Sequence, residues 1–142
     1  MKLVQHLLDS KDGGIVTITQ EASVYDAIKL MADRTVGSLL VMDGENLKGI
    51  VTERDYARKV IIKGRSSEST MVGEIMTTDL VTTTSAQSVN ECMTLMSEKR
   101  IRHLPVMSGD EVVGMISIGD LVQAIISDQQ EEIEQLENYI SG

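Results

Sequence analysis

Two short runs hold the residues whose types and spacing allow recognition chemistry: Thr52-Glu-Arg-Asp55 and Ser117-Ile-Gly-Asp120. In each, a hydroxyl precedes a carboxylate by three positions. That spacing makes a capping box, in which the two side chains satisfy backbone N–H groups at the start of a helix. It also suits ligand recognition. An ionised carboxylate only accepts hydrogen bonds, so its two oxygens can receive both hydroxyls of a cis-diol. The free N–H groups at a helix start suit an anion or another polar group. The same spacing recurs at Ser23–Asp26 and Ser88–Glu91. Four such boxes in one chain weigh toward the structural reading, and spacing alone leaves both open.

Cations gather after the first run. Residues 53–65 carry Arg54, Arg58, Lys59, Lys63 and Arg65 against Glu53 and Asp55, a net of +3 in a chain of −9. Arg54 and Arg58 lie one helical turn apart, on a shared face if the segment is helical. Arginine favours phosphate because its fork donates paired, charge-assisted hydrogen bonds. The competing reading is a solvated basic face, which is weaker for Arg54 than for Arg58 and Lys59.

Other chemistries have little support. His6 and His103 are the two histidines and Cys92 is the lone cysteine, so neither a disulfide nor a Cys/His metal cluster is expected. Phosphate-loop, dinucleotide-loop, nucleophile-elbow and zinc-protease motifs are missing, and no nucleophile has a paired base. Cys92 reads as a small buried hydrophobe. The net charge of −9 opposes a nucleic-acid surface. Tyr25, Tyr56 and Tyr139 are the whole aromatic complement, too few for base stacking. The start of the chain lacks a basic-then-apolar leader pattern and no apolar run nears the length of a membrane span. A cytoplasmic protein is expected.

The elements that would position these residues come from an internal repeat. Ile15–Ile61 lies over Leu80–Ile126 at an offset of 65 without a gap, and 14 of 47 positions are identical. Each copy reads as a short strand (Val16–Thr19 in the first), then a helix starting at Ser23 or Ser88. A hairpin turning at Gly44 or Gly109 follows, then a helix near Asp55 or Asp120. Val4–Leu8 echoes Val72–Met76 ahead of each copy. The unit is β-α-β-β-α. A single copy is too small to bury an adequate core, so an α+β fold is expected, with two copies packed around a pseudo-twofold axis.

The pattern Gly49-Ile-Val-Thr52-Glu-Arg-Asp55, repeated as Gly114-Met-Ile-Ser117-Ile-Gly-Asp120, together with the strand Leu104-Pro105-Val106, resembles a tandem pair of CBS domains, a Bateman module. The first copy departs from it with Leu40 in place of Pro105. The resemblance implies a regulatory module without catalysis of its own, binding an adenosine-containing ligand: AMP, ADP, ATP or NAD(H), with S-adenosylmethionine as an alternative. It implies two clefts between the repeats. The first takes Ile50, Thr52, Arg54 and Asp55, with Arg58 at its margin, and Leu80, Val81, Arg102, His103 and Pro105 from the second copy. The second takes Met115, Ser117, Gly119 and Asp120, with Ile15, Val16, Gly37 and Ser38. Where the first has Arg54, Arg102 and His103, the second has Gly119, Gly37 and Ser38. The first is therefore the expected phosphorylated-nucleotide site, and the second holds an uncharged adenosine group or nothing. The rival readings are a dimerisation module with empty clefts and an enzyme acting on a nucleotide.

The resemblance also implies a homodimer and a regulated protein that the sequence leaves unknown. The expected boundaries are 1–66 for the first repeat with its leading segment, 67–127 for the second, and 128–142 for an acidic helical tail. Lys63–Thr70 reads as a mobile linker. In the tail, Ile126, Ile133, Leu136 and Ile140 recur at helical spacing among five unopposed acids, which predicts an amphipathic helix packed on its own body or on a partner subunit.

Overall fold

The computed structural model describes residues 2–11 and 15–141. Their elements run α1 (Val4–Ser10), β1 (Thr17–Ile18), α2 (Val24–Arg34), β2 (Ser38–Asp43), β3 (Asn46–Thr52), α3 (Glu53–Tyr56), α4 (Val72–Ile75), α5 (Val89–Lys99), β4 (His103–Ser108), β5 (Glu111–Ser117) and α6 (Ile118–Ser141). A π-turn, Ala57–Ile61, continues α3. The chain forms two bodies. One holds residues 15–81 with the hairpin tip Gly109–Val112, and the other holds residues 2–11, Thr82–Ser108 and 113–141. The leading helix α1, read in sequence with the first repeat, thus belongs to the body of the second.

In the first body β1 pairs parallel with β2, and β2 pairs antiparallel with β3. Its core joins Val24, Ala27 and Met31 of α2, Leu39 and Val41 of β2, Val51 of β3, Val60 of the π-turn, and Val72 and Ile75 of α4. Helix α2 starts as its sequence predicts, with Ser23 Oγ accepting from Asp26 N at 3.1 Å. It ends at Thr35 in the left-handed region (φ 55°), and α5 ends likewise at Arg100 (φ 55°). These are the same position of the repeat, and neither is glycine. The conformation costs a non-glycine residue roughly 1–2 kcal/mol, so the helix-to-strand turn imposes it in both copies.

The second body buries Val4 and Leu7 of α1, Val89, Cys92 and Met96 of α5, Leu104 and Val106 of β4, Ile116 of β5, and Leu121 and Ala124 of α6. Cys92 Sγ lies 3.3 Å from Thr83 Oγ1. Burial pushes its thiol pKa up, with Thr83 partly opposing. The first strand of this copy is reduced to one bridge, Thr83 to Val106. Proline accounts for the loss. In the first copy Leu40 N donates to Val16 O at 3.1 Å. The equivalent position here is Pro105, which has no N–H to donate.

One expectation is corrected and one is narrowed. Lys63–Thr70 is pinned rather than loose. Thr70 donates to Ser66 O through both its N (3.0 Å) and its Oγ1 (2.6 Å). Ser67 O and Thr70 O accept from Tyr25 N and Val24 N, and Arg65 bonds Glu74 at 2.6 Å. The start of α2 needs acceptors for its N–H groups, and this segment supplies them. Of the two packings expected for the tail helix, on its own body or on a partner subunit, the first is not seen. The tail is the continuous end of α6, and residues 129–141 are all exposed, so it does not pack on its own body. No helix among the described residues is long and apolar enough to cross a membrane.

The motif glycines have a steric reason. Ile50 and Thr77 exchange backbone hydrogen bonds of 3.0 and 2.8 Å. A Cβ on Gly49 would therefore lie 2.8 Å from Thr77 O and 3.0 Å from Met76 Sδ. At Gly114 the obstacle is Leu8 Cδ2, 2.5 Å away, with the next atom at 3.6 Å. Gly49→Ala therefore meets backbone, whereas Gly114→Ala meets the end of a side chain that can rotate. Gly49→Ala is expected to cost about 1–3 kcal/mol in urea denaturation, in line with overpacking, and Gly114→Ala clearly less. Equal losses, or the reverse order, would contradict this packing.

Candidate functional site

Each hairpin's second strand runs directly into a helix, and the hydroxyl and carboxylate of the motif sit at that corner. In the first corner Thr52 Oγ1 accepts from Asp55 N at 3.1 Å. Asp55 Oδ2 accepts from Thr52 N at 3.0 Å and from Thr52 Oγ1 at 3.1 Å. Its other oxygen, Oδ1, meets Lys59 Nζ at 3.1 Å and Thr77 Oγ1 at 3.4 Å. Lys59 Nζ also donates to Ile75 O at 2.8 Å. Asp55 is 8% exposed, with both oxygens engaged. Lys59, a weaker phosphate candidate in the sequence, is turned inward onto this network.

The second corner repeats the reciprocal pair. Asp120 N donates to Ser117 Oγ at 3.2 Å, and Ser117 N donates to Asp120 Oδ2 at 2.8 Å. The cation differs. Lys11, from the segment after α1, donates to Asp120 Oδ2 at 2.9 Å and to Met115 O at 2.8 Å. Sequence reasoning missed Lys11, because it lies outside the repeat and in no motif. The Asp120 side chain is 26% exposed, and its Oδ1 has no hydrogen-bond partner among the described residues.

Backbone bonds place several other candidates beside these corners. Glu53 N donates to Gly37 O at 3.1 Å and Ser38 faces Thr52 across the β2–β3 pair, so both adjoin the first corner. Ile118 N donates to Arg102 O at 2.8 Å, which sets Arg102 beside the second corner. Val16 O bonds Leu40 N, and Ile15 is exposed. Ile50 is buried, and Leu80 and Val81 are half-buried. Pro105 is buried and its carbonyl accepts from Thr83 N. Arg54, Arg58 and Arg102 are exposed, His103 and Met115 half-buried, and Gly119 exposed. An open groove of about 610 Å³ reaches the first corner at Gly37 and Glu53. Ile28, Met31, Val36 and Tyr56 give it an apolar lining.

Burial tends to raise the Asp120 pKa, but Lys11 and the Ser117 hydrogen bonds outweigh it and hold the carboxyl below its ordinary value. A depressed folded-state pKa stabilises the fold above the unfolded value, about 3.9 for aspartate. That stability is lost as pH falls through the folded value. Melting temperature is therefore expected to drop below about pH 4. Lys11→Met should lower it at neutral pH and flatten this acid limb. An acid limb unchanged by Lys11→Met would contradict the assignment.

Comparison with known proteins agrees with this geometry. The CBS domain model matches twice, over residues 12–62 and 72–127. The chain is 46% identical over 138 residues to the CBS domain-containing protein CBSX3, mitochondrial, of Arabidopsis thaliana, covering 94% of this chain and 67% of that one. The name of that relative places it in mitochondria, so a cytoplasmic location is not common to such relatives. A CBS-domain protein of Burkholderia ambifaria superposes with a TM-score of 0.86 at 53% identity, covering 90% of this chain and 96% of its own. The CBS domain pair of protein MJ0100, solved with 5'-methylthioadenosine and S-adenosyl-L-methionine, has a TM-score of 0.80 at 24% identity, covering 90% and 98%. At that identity it shows the fold. With the motif matched in both repeats and the corner built twice, the chain belongs to the CBS domain family, as a tandem CBS pair of the regulatory kind.

Proposed function

We propose that this CBS pair is a sensor for an adenosine-containing ligand, of the AMP, ADP, ATP, NAD(H) or S-adenosylmethionine class. It has no catalysis of its own and acts on a separate protein. The observation that carries the reading is the reciprocal corner, present in both repeats, in which a carboxylate and helix N–H groups meet at one point. A ribose diol needs an acceptor-only group, and the carboxylate is one. Asp120 Oδ1 supplies such an acceptor. At Asp55 the ligand shares oxygens already bonded to Lys59 and Thr52. The residues that the family resemblance adds at the first site, Arg54, Arg58, Leu80, Val81, Arg102, His103 and Pro105, stay part of the proposal. So do Ile15, Val16, Gly37, Ser38, Met115 and Gly119 at the second. The ligand-bound state of the MJ0100 pair, a fold neighbour, is compatible with this reading.

The functional unit in this reading is a homodimer. The apolar groove beside α3 and the exposed stripe of Ile133, Leu136 and Ile140 on α6 are surfaces that a second copy would cover. Light scattering at micromolar concentration is expected to give the mass of a dimer. A monomer would count against this part of the proposal.

The ligand reading is tested by calorimetry with AMP, ATP, NADH and S-adenosylmethionine on wild type, Asp55→Asn and Asp120→Asn. The amide oxygen of asparagine can still accept from the N–H of the cap residue, but asparagine cannot accept both hydroxyls as a carboxylate does. Loss of one charge-assisted bond, about 1.5–3 kcal/mol, should weaken binding at the altered corner roughly tenfold to a hundredfold. A ligand at about a hundred times its Kd should add roughly 2.7 kcal/mol of stability. Unchanged affinity in both variants would overturn the assignment of the corners. No binding of any of the four would favour a purely structural pair, and turnover of ATP or NADH would favour an enzyme.

A further inference from the structure

The two corners share a motif but not a cation, and the exchange bears on what the second one binds. In the first repeat Lys59, one turn into the helix, sits on Asp55. The position 65 residues later is Ala124, which is buried and uncharged. The second repeat therefore has no lysine at this position. Lys11 comes instead from outside the repeat, reaching both Asp120 and Met115 O.

We infer that Lys11 is a ligand-site residue of the second corner and makes that corner selective for an anionic, phosphate-bearing adenosine ligand over adenosine itself. The inference rests on the reading of the corners as ligand sites and extends it to a substrate class. Asp120 alone would present a negative charge and repel a phosphate. Paired with Lys11 it is neutral, and the start of α6 adds partial positive charge from its backbone N–H groups. An ammonium group has three hydrogens. Met115 O and Asp120 Oδ2 take two, and the third is left for a ligand oxygen. Asp120 Oδ1 keeps an acceptor for a hydroxyl. A diol acceptor and a cation thus stand side by side. The family resemblance placed the cations at the first site and gave the second Gly119, Gly37 and Ser38, whereas the structure sets Arg102 beside the second corner and Gly37 and Ser38 beside the first. Lys11 is the cation bonded directly to the Asp120 carboxylate. The opposing reading makes Lys11 a plug that any ligand must expel.

The test uses the full chain carrying Asp55→Asn, which weakens the first corner, and titrates AMP and adenosine by calorimetry. Lys11→Met in this background is expected to weaken AMP about tenfold or more, the size of one charged hydrogen bond. Adenosine should change less than about threefold, because its hydroxyls and ring nitrogens offer the ammonium only neutral acceptors, weaker than a phosphate. Lys11→Arg, which keeps the charge, should restore most of the AMP affinity, and retained adenosine binding shows that the Lys11→Met protein has not simply lost its fold. Equal weakening of AMP and adenosine would make Lys11 structural and overturn the inference, while tighter binding of both would make it a plug. Failure of AMP and adenosine alike to bind the Asp55→Asn protein with Lys11 intact would remove the second corner as a ligand site altogether. Adenosine binding without any preference for AMP would overturn only the selectivity.

Discussion

A carboxylate bonded back to the backbone N–H of the residue that caps its own helix joins strand to helix in each repeat. Asp55 and Thr52 make this exchange in one body, and Ser117 and Asp120 in the other. It fixes where the second hairpin strand stops and where the following helix begins. It also orients the carboxylate, because the oxygen that accepts from the cap residue leaves the other oxygen at a set position. The capping role and the ligand role are thus one geometry. A helix start needs acceptors for its unpaired N–H groups, and the same groups suit a polar ligand.

Each body includes a helix that precedes the other copy in sequence. Helix α4, just ahead of the second repeat, packs in the first body, and α1, ahead of the first repeat, packs in the second. Backbone excludes a Cβ at Gly49, whereas at Gly114 only the rotatable end of Leu8 stands in the way, which gives the first motif glycine a packing role in addition to any role in binding. The same arrangement delivers the cations. The segment after α1 carries Lys11 to Asp120, while Lys59 reaches Asp55 and ties it to the end of α4 through Ile75 O. Identical carboxylates at an offset of 65 thereby acquire different surroundings, one buried and fully bonded, the other open on one oxygen.

The sequence was informative wherever local chemistry decides the outcome. Ser23, Ser88, Thr52 and Ser117 cap the helices their spacing predicts, and Gly44 and Gly109 adopt the positive φ that tight hairpins need (60° and 61°). The missing strand of the second copy was also readable in principle, since Pro105 cannot donate where Leu40 does. Lys11 was not readable. It is one exposed lysine among several, and only the tertiary packing of α1 brings it to Asp120. The π-turn after Tyr56 and the pinned segment 63–70 have the same character, because their backbone bonds run to partners that composition does not reveal. Amphipathic spacing foresaw the helix of the tail but could not say that the body leaves its apolar stripe uncovered.

The central claim is that the corners are ligand sites as well as caps, and native mass spectrometry of the purified protein tests it most directly. Spectra would be taken before and after incubation with a mixture of adenine nucleotides and S-adenosylmethionine. The account predicts that the folded protein carries, or takes up, a discrete adenosine-containing mass. It also predicts that the double variant Asp55→Asn, Asp120→Asn, with an unchanged charge-state distribution, does not. A protein that stays at its bare mass in every mixture, or a double variant that retains the adduct undiminished, would contradict it.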